Sequence, residues 1–174
     1  MIILGVDPGY RNLGLSIVRL TTHSTKLEIL YSENMSVGKA TAPLMFTKFL
    51  WPELERLHKE YGIEGIASET PPFIMGQIKT TAFLWAVSSI IVAWSFANNI
   101  PFRHASPISL KKAVTRVLNI PWKNKYMPKK SDVKAAVRRL STDGKGRSTS
   151  HENDATLAAA MMFSGLCDDP QAKK

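Results

Sequence analysis

Cysteine is almost missing from this chain: Cys167 is the only one in 174 residues. No intramolecular disulfide and no cysteine-rich zinc site can form, so the core must hold without staples, as suits a reducing compartment. The opening residues Met1-Ile2-Ile3-Leu4-Gly5-Val6-Asp7 carry neither a basic n-region nor a small-residue cleavage site, so no signal peptide is expected. The longest apolar stretch, Ala82 to Ala97, contains serines and falls short of the ~20 residues a membrane span needs. A soluble, cytoplasmic protein with no membrane attachment is the resulting expectation. With 44% hydrophobic and 21% charged residues the composition is not that of a disordered or fibrous chain. The length predicts one domain over residues 1–174 with a flexible tail from about residue 168, and leaves no room for a two-lobed kinase-like enzyme.

Charge is unevenly distributed. The net charge is +9, yet 12 of the 23 basic residues and only 2 of the 14 acidic ones fall between residues 111 and 147. That segment contains Lys111, Lys112, Lys129, Lys130, Lys134 and Arg138. Clustered Lys and Arg gain affinity for phosphates by releasing condensed counterions, so a nucleic-acid partner is the leading expectation. A solubilising basic face is the plainer alternative.

Hydrophobic periodicity divides the chain into alternating elements. Ile2 to Val6 reads as a buried central strand that stops at Asp7-Pro8-Gly9, and Leu13 to Leu20 and Leu27 to Tyr31 as two further strands of an antiparallel meander. Pro43 to Tyr61 has helical spacing, with Leu44, Phe49, Leu50, Leu54 and Leu57 as expected core positions and Gly62 as its stop. Ile63 to Ser68 and Ile100 to His104 are short strands, and Gln77 to Asn98 is a long apolar helix between them. Helices are predicted over Pro107–Leu118, Ser131–Leu140 and His151–Leu166, with a mobile loop over Ser141–Ser150. The order βββαβαβα, with closing helices, describes an α/β sheet covered by helices.

Four residues capable of chemistry fall at the mouths of these elements. Asp7 ends the first strand, Glu69 the fourth, and His151 and Asp154, three apart, share a face at the start of the last helix. Each has an ordinary structural reading: Asp7 as a turn former, Glu69 as a surface carboxylate, and Thr149-Ser150-His151-Glu152 as a capping box. Capping accounts for Glu152 but not for Asp154, which lies beyond the capping position. Together, carboxylates and an imidazole without thiolates favour Mg²⁺ or Mn²⁺. Two such ions can drive an in-line phosphodiester displacement, and beside the basic segment that chemistry describes a nuclease.

The blocks Ile3-Leu4-Gly5-Val6-Asp7-Pro8-Gly9-Tyr10-Arg11-Asn12-Leu13-Gly14, Ala67-Ser68-Glu69, Lys111-Lys112-Ala113-Val114, Lys130-Ser131-Asp132-Val133 and His151-Glu152-Asn153-Asp154-Ala155 resemble the RuvC family of Holliday junction resolvases in order and spacing. The resemblance implies an RNase H-like fold with a five-stranded mixed sheet whose first three strands are antiparallel. It also implies a homodimer and metal-dependent symmetric nicking of four-way DNA junctions with two ions per site. Asp7, Glu69 and Asp154 are similar to the family's metal-binding acids, and His151 to the histidine variant of the closing-helix pair. Lys111 and Lys130 align best with its phosphate-contacting lysines, with Lys112 and Lys129 one residue away as the alternatives. Phe73 resembles an aromatic that stacks on splayed bases, with Thr70-Pro71-Pro72 holding an extra proline before it. Packing into the next helix's core is the other reading of Phe73. The long apolar helix is either a central core helix or one that also pairs across a dimer axis. Alternatives to a junction resolvase are a branched-DNA-binding protein without catalysis and a nuclease of the same fold with another nucleic-acid substrate. A branch-migration motor is a conceivable further partner.

Overall fold

A computed structural model describes residues 1–9, 12–20, 26–36, 43–120 and 128–163, with the backbone alone for 43–46. Five strands form one mixed sheet: β1 (Ile2–Asp7), β2 (Asn12–Leu20), β3 (Leu27–Ser36), β4 (Gly65–Glu69) and β5 (Phe102–Ala105). Their order is β3-β2-β1-β4-β5. β1, β2 and β3 pair antiparallel, while β4 lies parallel to β1 and β5 parallel to β4. The apolar run Ile3–Val6 therefore sits at the centre of the sheet, covered on both faces.

One face packs against α1 (Pro43–Tyr61) and α2 (Ile78–Ala97). Leu50, Leu54, Leu57, Phe83, Val87, Ile91 and Trp94 fill that side with Leu4, Val6, Leu15 and Ile17 of the sheet. Phe49, expected in this core, is instead 57% exposed, because it sits one position off the stripe that Leu50, Leu54 and Leu57 turn inward. The side chain of Leu44 lies outside the described residues. α2 lies within one residue of its expected bounds at each end, and its 20 residues are long and apolar enough by length and composition to cross a membrane, a test that the core helix of a folded domain also meets. Here it buries one side in the core and leaves Trp85 and Phe96 on the other.

The opposite face carries α3 (Pro107–Leu118), α4 (Lys130–Leu140) and α5 (Ser150–Ala160), packed through Leu110, Val114, Ala136, Leu140, Leu157 and Ala158. α3 opens on Ser106, whose hydroxyl accepts from the Ser109 amide at 3.1 Å with Pro107 in the first turn, and closes on Asn119 at φ 58°. β3 extends five residues beyond its predicted end because β2 pairs with it as far as Ser36. α5 ends at Ala160, six residues before its predicted end.

The segment between α4 and α5 is tied down, not loose as expected. The Thr142 amide donates to Leu27 O at 2.9 Å, and the Arg147 guanidinium pairs with Asp143 at 2.8 Å. The Arg147 amide donates to Asn153 Oδ1 at 3.0 Å. The predicted tail from residue 168 lies outside the described residues.

Candidate active site

Asp7 and Glu69 are the last residues of two neighbouring parallel strands. The pairing Val6↔Ser68 puts them side by side, and the alternation of a strand turns both toward the face that α5 covers. Two carboxylates thus stand together at the carboxyl edge of the sheet, where open α/β sheets hold their ligands.

The third and fourth groups arrive on α5, and two glycines decide how close that helix comes. A Cβ on Gly5 would meet Ala155 O at 1.9 Å, and one on Gly14 would meet His151 O at 2.3 Å. Gly14 is the register partner of Asp7. The first turn of α5 can therefore rest on the bare strand beside Asp7, and His151 Nδ1 lies 2.5 Å from Asp7 Oδ2. A carboxylate only accepts, so Nδ1 carries the proton in that contact.

A polar layer fixes the helix along and about its axis. Thr156 donates to Ser16 at 2.8 Å and Ser32 to Glu152 at 3.0 Å. Glu152 also accepts from Ser148 and from the Thr149 amide, while Thr149 accepts from the Glu152 amide, which completes the capping box expected from sequence. These bonds hold the Glu152 carboxyl below its ordinary range despite burial, and leave it a structural group.

Burial, with the charges of Asp7 and Asp154, pushes the Glu69 carboxyl up to about 8, against the opposing pull of Lys111 and His151. Burial and Asp7 push Asp154 up to about 6, offset by His151 and Lys130. The His151 imidazole is raised by its hydrogen bond to Asp7, outweighing partial burial. Three carboxylates and an imidazole thus act on one another's protonation, with the charges of Asp7 and Asp154 adding repulsion to the burial of Glu69. Mutual repulsion of this kind, in a set of hard oxygen donors, fits a divalent cation. Among the described residues no three such side chains close into a metal cage.

A cleft of about 190 Å³ adjoins the cluster, lined by Glu69, Lys111, Lys130, Asp154, Pro107 and Leu157 among others. Lys130 opens α4 and donates to Ser150 at 3.3 Å. The structure thus brings Lys111 and Lys130, not Lys112 and Lys129, into the lining. Lys129 caps α4, its amide donating to Asp132 at 2.7 Å. Lys134 lays its stem where a Cβ on Gly146 would stand, and Arg138 is exposed farther along α4. Phe73 is 77% exposed and does not enter the core of α2. Gly5 and Gly14 lie beyond what motif spacing points to; the signal they carry is glycine inside a strand, which marks close backbone approach.

No protein-family model matches the chain. The Thermus thermophilus RuvC in complex with a Holliday junction substrate superposes with a TM-score of 0.73 and 18% identity, covering 92% of this chain and 91% of that one. The fold is that of the RuvC resolvases. The yeast mitochondrial Holliday junction resolvase Ydc2 has the same architecture, with a TM-score of 0.65, 18% identity and coverage of 91% and 75%. In sequence, the chain is similar to the RuvC crossover junction endodeoxyribonuclease of Pelodictyon phaeoclathratiforme, 26% identical over 115 residues. That alignment takes in 66% of this chain and spans 59% of the relative's length.

Proposed function

We propose that the chain is a divalent-metal-dependent endonuclease that resolves four-way DNA junctions by paired symmetric nicks. The observation that carries this reading is the convergence of Asp7, Glu69, His151 and Asp154 at one sheet edge, beside a cleft walled by Lys111 and Lys130. The likeness to RuvC resolvases in sequence and fold supports it.

Asp7, Glu69, Asp154 and His151 would hold the metal, drawn together around it, for which Mg²⁺ is the natural ion and Mn²⁺ a substitute, with two ions per site. Metal bound there supplies Lewis acidity toward a phosphate oxygen and an activated water. Lys111 and Lys130 hold flanking phosphates, which offsets the repulsion between an acidic site and a polyanion. His151 leaves the site one formal negative charge lighter than four carboxylates would, and its hydrogen bond orients Asp7.

Resolution of a twofold-symmetric junction needs two sites related by a twofold axis, so the working form is a homodimer. α2 offers the surface: Ile78, Ala82, Trp85, Ser89, Ala93 and Phe96 recur on its exposed side at intervals of three and four residues. The enzyme acts on DNA in the cytoplasm, with a branch-migration motor as a further candidate partner.

Cleavage of a synthetic mobile four-way junction in Mg²⁺ and in Mn²⁺, with Asp7→Asn alongside, tests the proposal. Paired, religatable nicks that vanish in the variant are expected. Tight junction binding without cleavage in either metal would replace it with a branched-DNA-binding protein.

A further inference from the structure

The connection from Glu69 to α2 carries the three most exposed large apolar side chains among the described residues: Met75 at 86%, Ile78 at 78% and Phe73 at 77%. Single exposed apolar residues are ordinary, but three within six positions form a patch that calls for a partner. Ile78 belongs to the exposed line of α2. Phe73 and Met75 precede the helix and flank half-buried Ile74.

Their backbone is fixed even though the side chains are bare. The Thr70 amide donates to Ala105 O at 2.8 Å and Pro71 is buried, which anchors the entry. The Gln77 amide closes a turn onto Ile74 O at 3.1 Å, with Gly76 at φ 76°, the value a type II turn requires at its third position. Met75 is therefore at the tip. Buried Thr81 reaches back from α2 and accepts from the Ile74 amide at 3.1 Å, latching the turn to the helix.

The position of the patch selects its occupant. Phe73 is four residues beyond Glu69, so it stands within about 14 Å of the carboxylate edge along the chain. Residues two apart are separated by at most about 7 Å, twice the ~3.4 Å that one nucleotide occupies along a stacked strand. At full extension that spacing admits one base between the two side chains. A thioether is polarizable and packs well on a π-face, and every base offers such a face whatever its sequence. We propose that Met75 is a second stacking side chain, closing on the face of an unpaired junction base opposite Phe73, and that Thr81 is the positioning residue that holds the turn presenting it. This rests on the junction-DNA reading above.

The test uses the full chain in EDTA, where binding is read without cleavage, and a four-way junction carrying 2-aminopurine at the crossover beside a linear duplex of the same sequence. Wild type is expected to prefer the junction and to change the fluorescence on binding. Met75→Ala should weaken junction binding by about 5-fold, the low end for loss of one stacked base, and reduce the fluorescence change while leaving duplex binding as it was. Thr81→Val, which keeps shape but removes the acceptor, should reduce the fluorescence change similarly, and Thr81→Ser should restore it. Wild-type preference with an unaltered Met75→Ala response overturns this inference alone, as does a Met75→Ala effect confined to the monomer–dimer balance by light scattering. A wild type with no junction preference overturns the junction reading and this inference with it.

Discussion

At Glu69, burial and the charges of Asp7 and Asp154 all disfavour the ionised carboxylate. A folded-state pKa above the unfolded value means the native state binds more protons between the two, so the stabilisation is full below the unfolded pKa and lost as pH rises through the folded one. Glu69 at about 8, Asp154 at about 6 and the raised imidazole of His151 all act in this direction. Asp143, held down at about 2, and Glu152 act in the opposite sense at pH values below about 4.5, and His104, lowered by burial, does so below its ordinary 6.5, where the two raised carboxyls and His151 outnumber it. Without divalent metal, the melting temperature should therefore fall as pH is raised from 5 to 8. Glu69→Gln should flatten that slope, and added Mn²⁺ should recover stability most at the alkaline end. A scanning-fluorimetry series across pH, with EDTA and Mn²⁺ arms, would sink the idea if wild type and Glu69→Gln gave parallel curves.

At the scale of elements, the site depends on how closely α5 meets the sheet. Gly14 puts bare backbone under His151, so Gly14→Ala should lift the first turn and separate Nδ1 from Asp7. Overpacking of this kind costs about 1–3 kcal/mol, and junction cleavage should fall further than stability alone accounts for. A normal denaturant midpoint together with full cleavage would contradict this. The capping box acts on the same turn from its other end. Thr149→Ala removes the acceptor of the Glu152 amide and should cost about 1 kcal/mol in urea unfolding. The effect on the site should be smaller than that of Gly14→Ala, because Ser32 and Ser16 still hold the helix.

Over the whole molecule, charge and apolar surface are divided between faces. The basic segment contributes α4 and half of the cleft wall, while the exposed line of α2 lies on the other side of the sheet. Junction affinity should fall steeply with salt, and Lys111→Ala or Lys130→Ala should each reduce the slope of log K against log salt by about 1. An unchanged slope would remove that lysine from the phosphate contacts. Trp85→Lys or Phe96→Lys should convert a dimer to a monomer by light scattering and abolish the concentration dependence of the melting temperature. Wild type that is monomeric at every concentration would refute the pairing surface.

The sequence by itself determined the element order, the strand-end placement of Asp7 and Glu69, and the common face of His151 and Asp154, because those follow from local periodicity, turn residues and helical spacing. The capping box at Thr149 and Glu152 was legible for the same reason. The tertiary structure puts Lys111 and Lys130, the better-aligned lysine of each pair, in the cleft wall and leaves Lys112 and Lys129 out of it, a difference of one helical step that packing resolves. Phe49 against Leu50, and the exposure of Phe73, were settled in the same way, by which side of a mixed apolar pattern finds a neighbour to bury it. The contact between His151 and Asp7 joins residues 144 positions apart and exists because Gly5 and Gly14 leave room for a helix on the sheet. Local sequence rules describe the helix and the strand; the distance between them is set by side-chain volume at the interface, where the absence of a Cβ decides the contact.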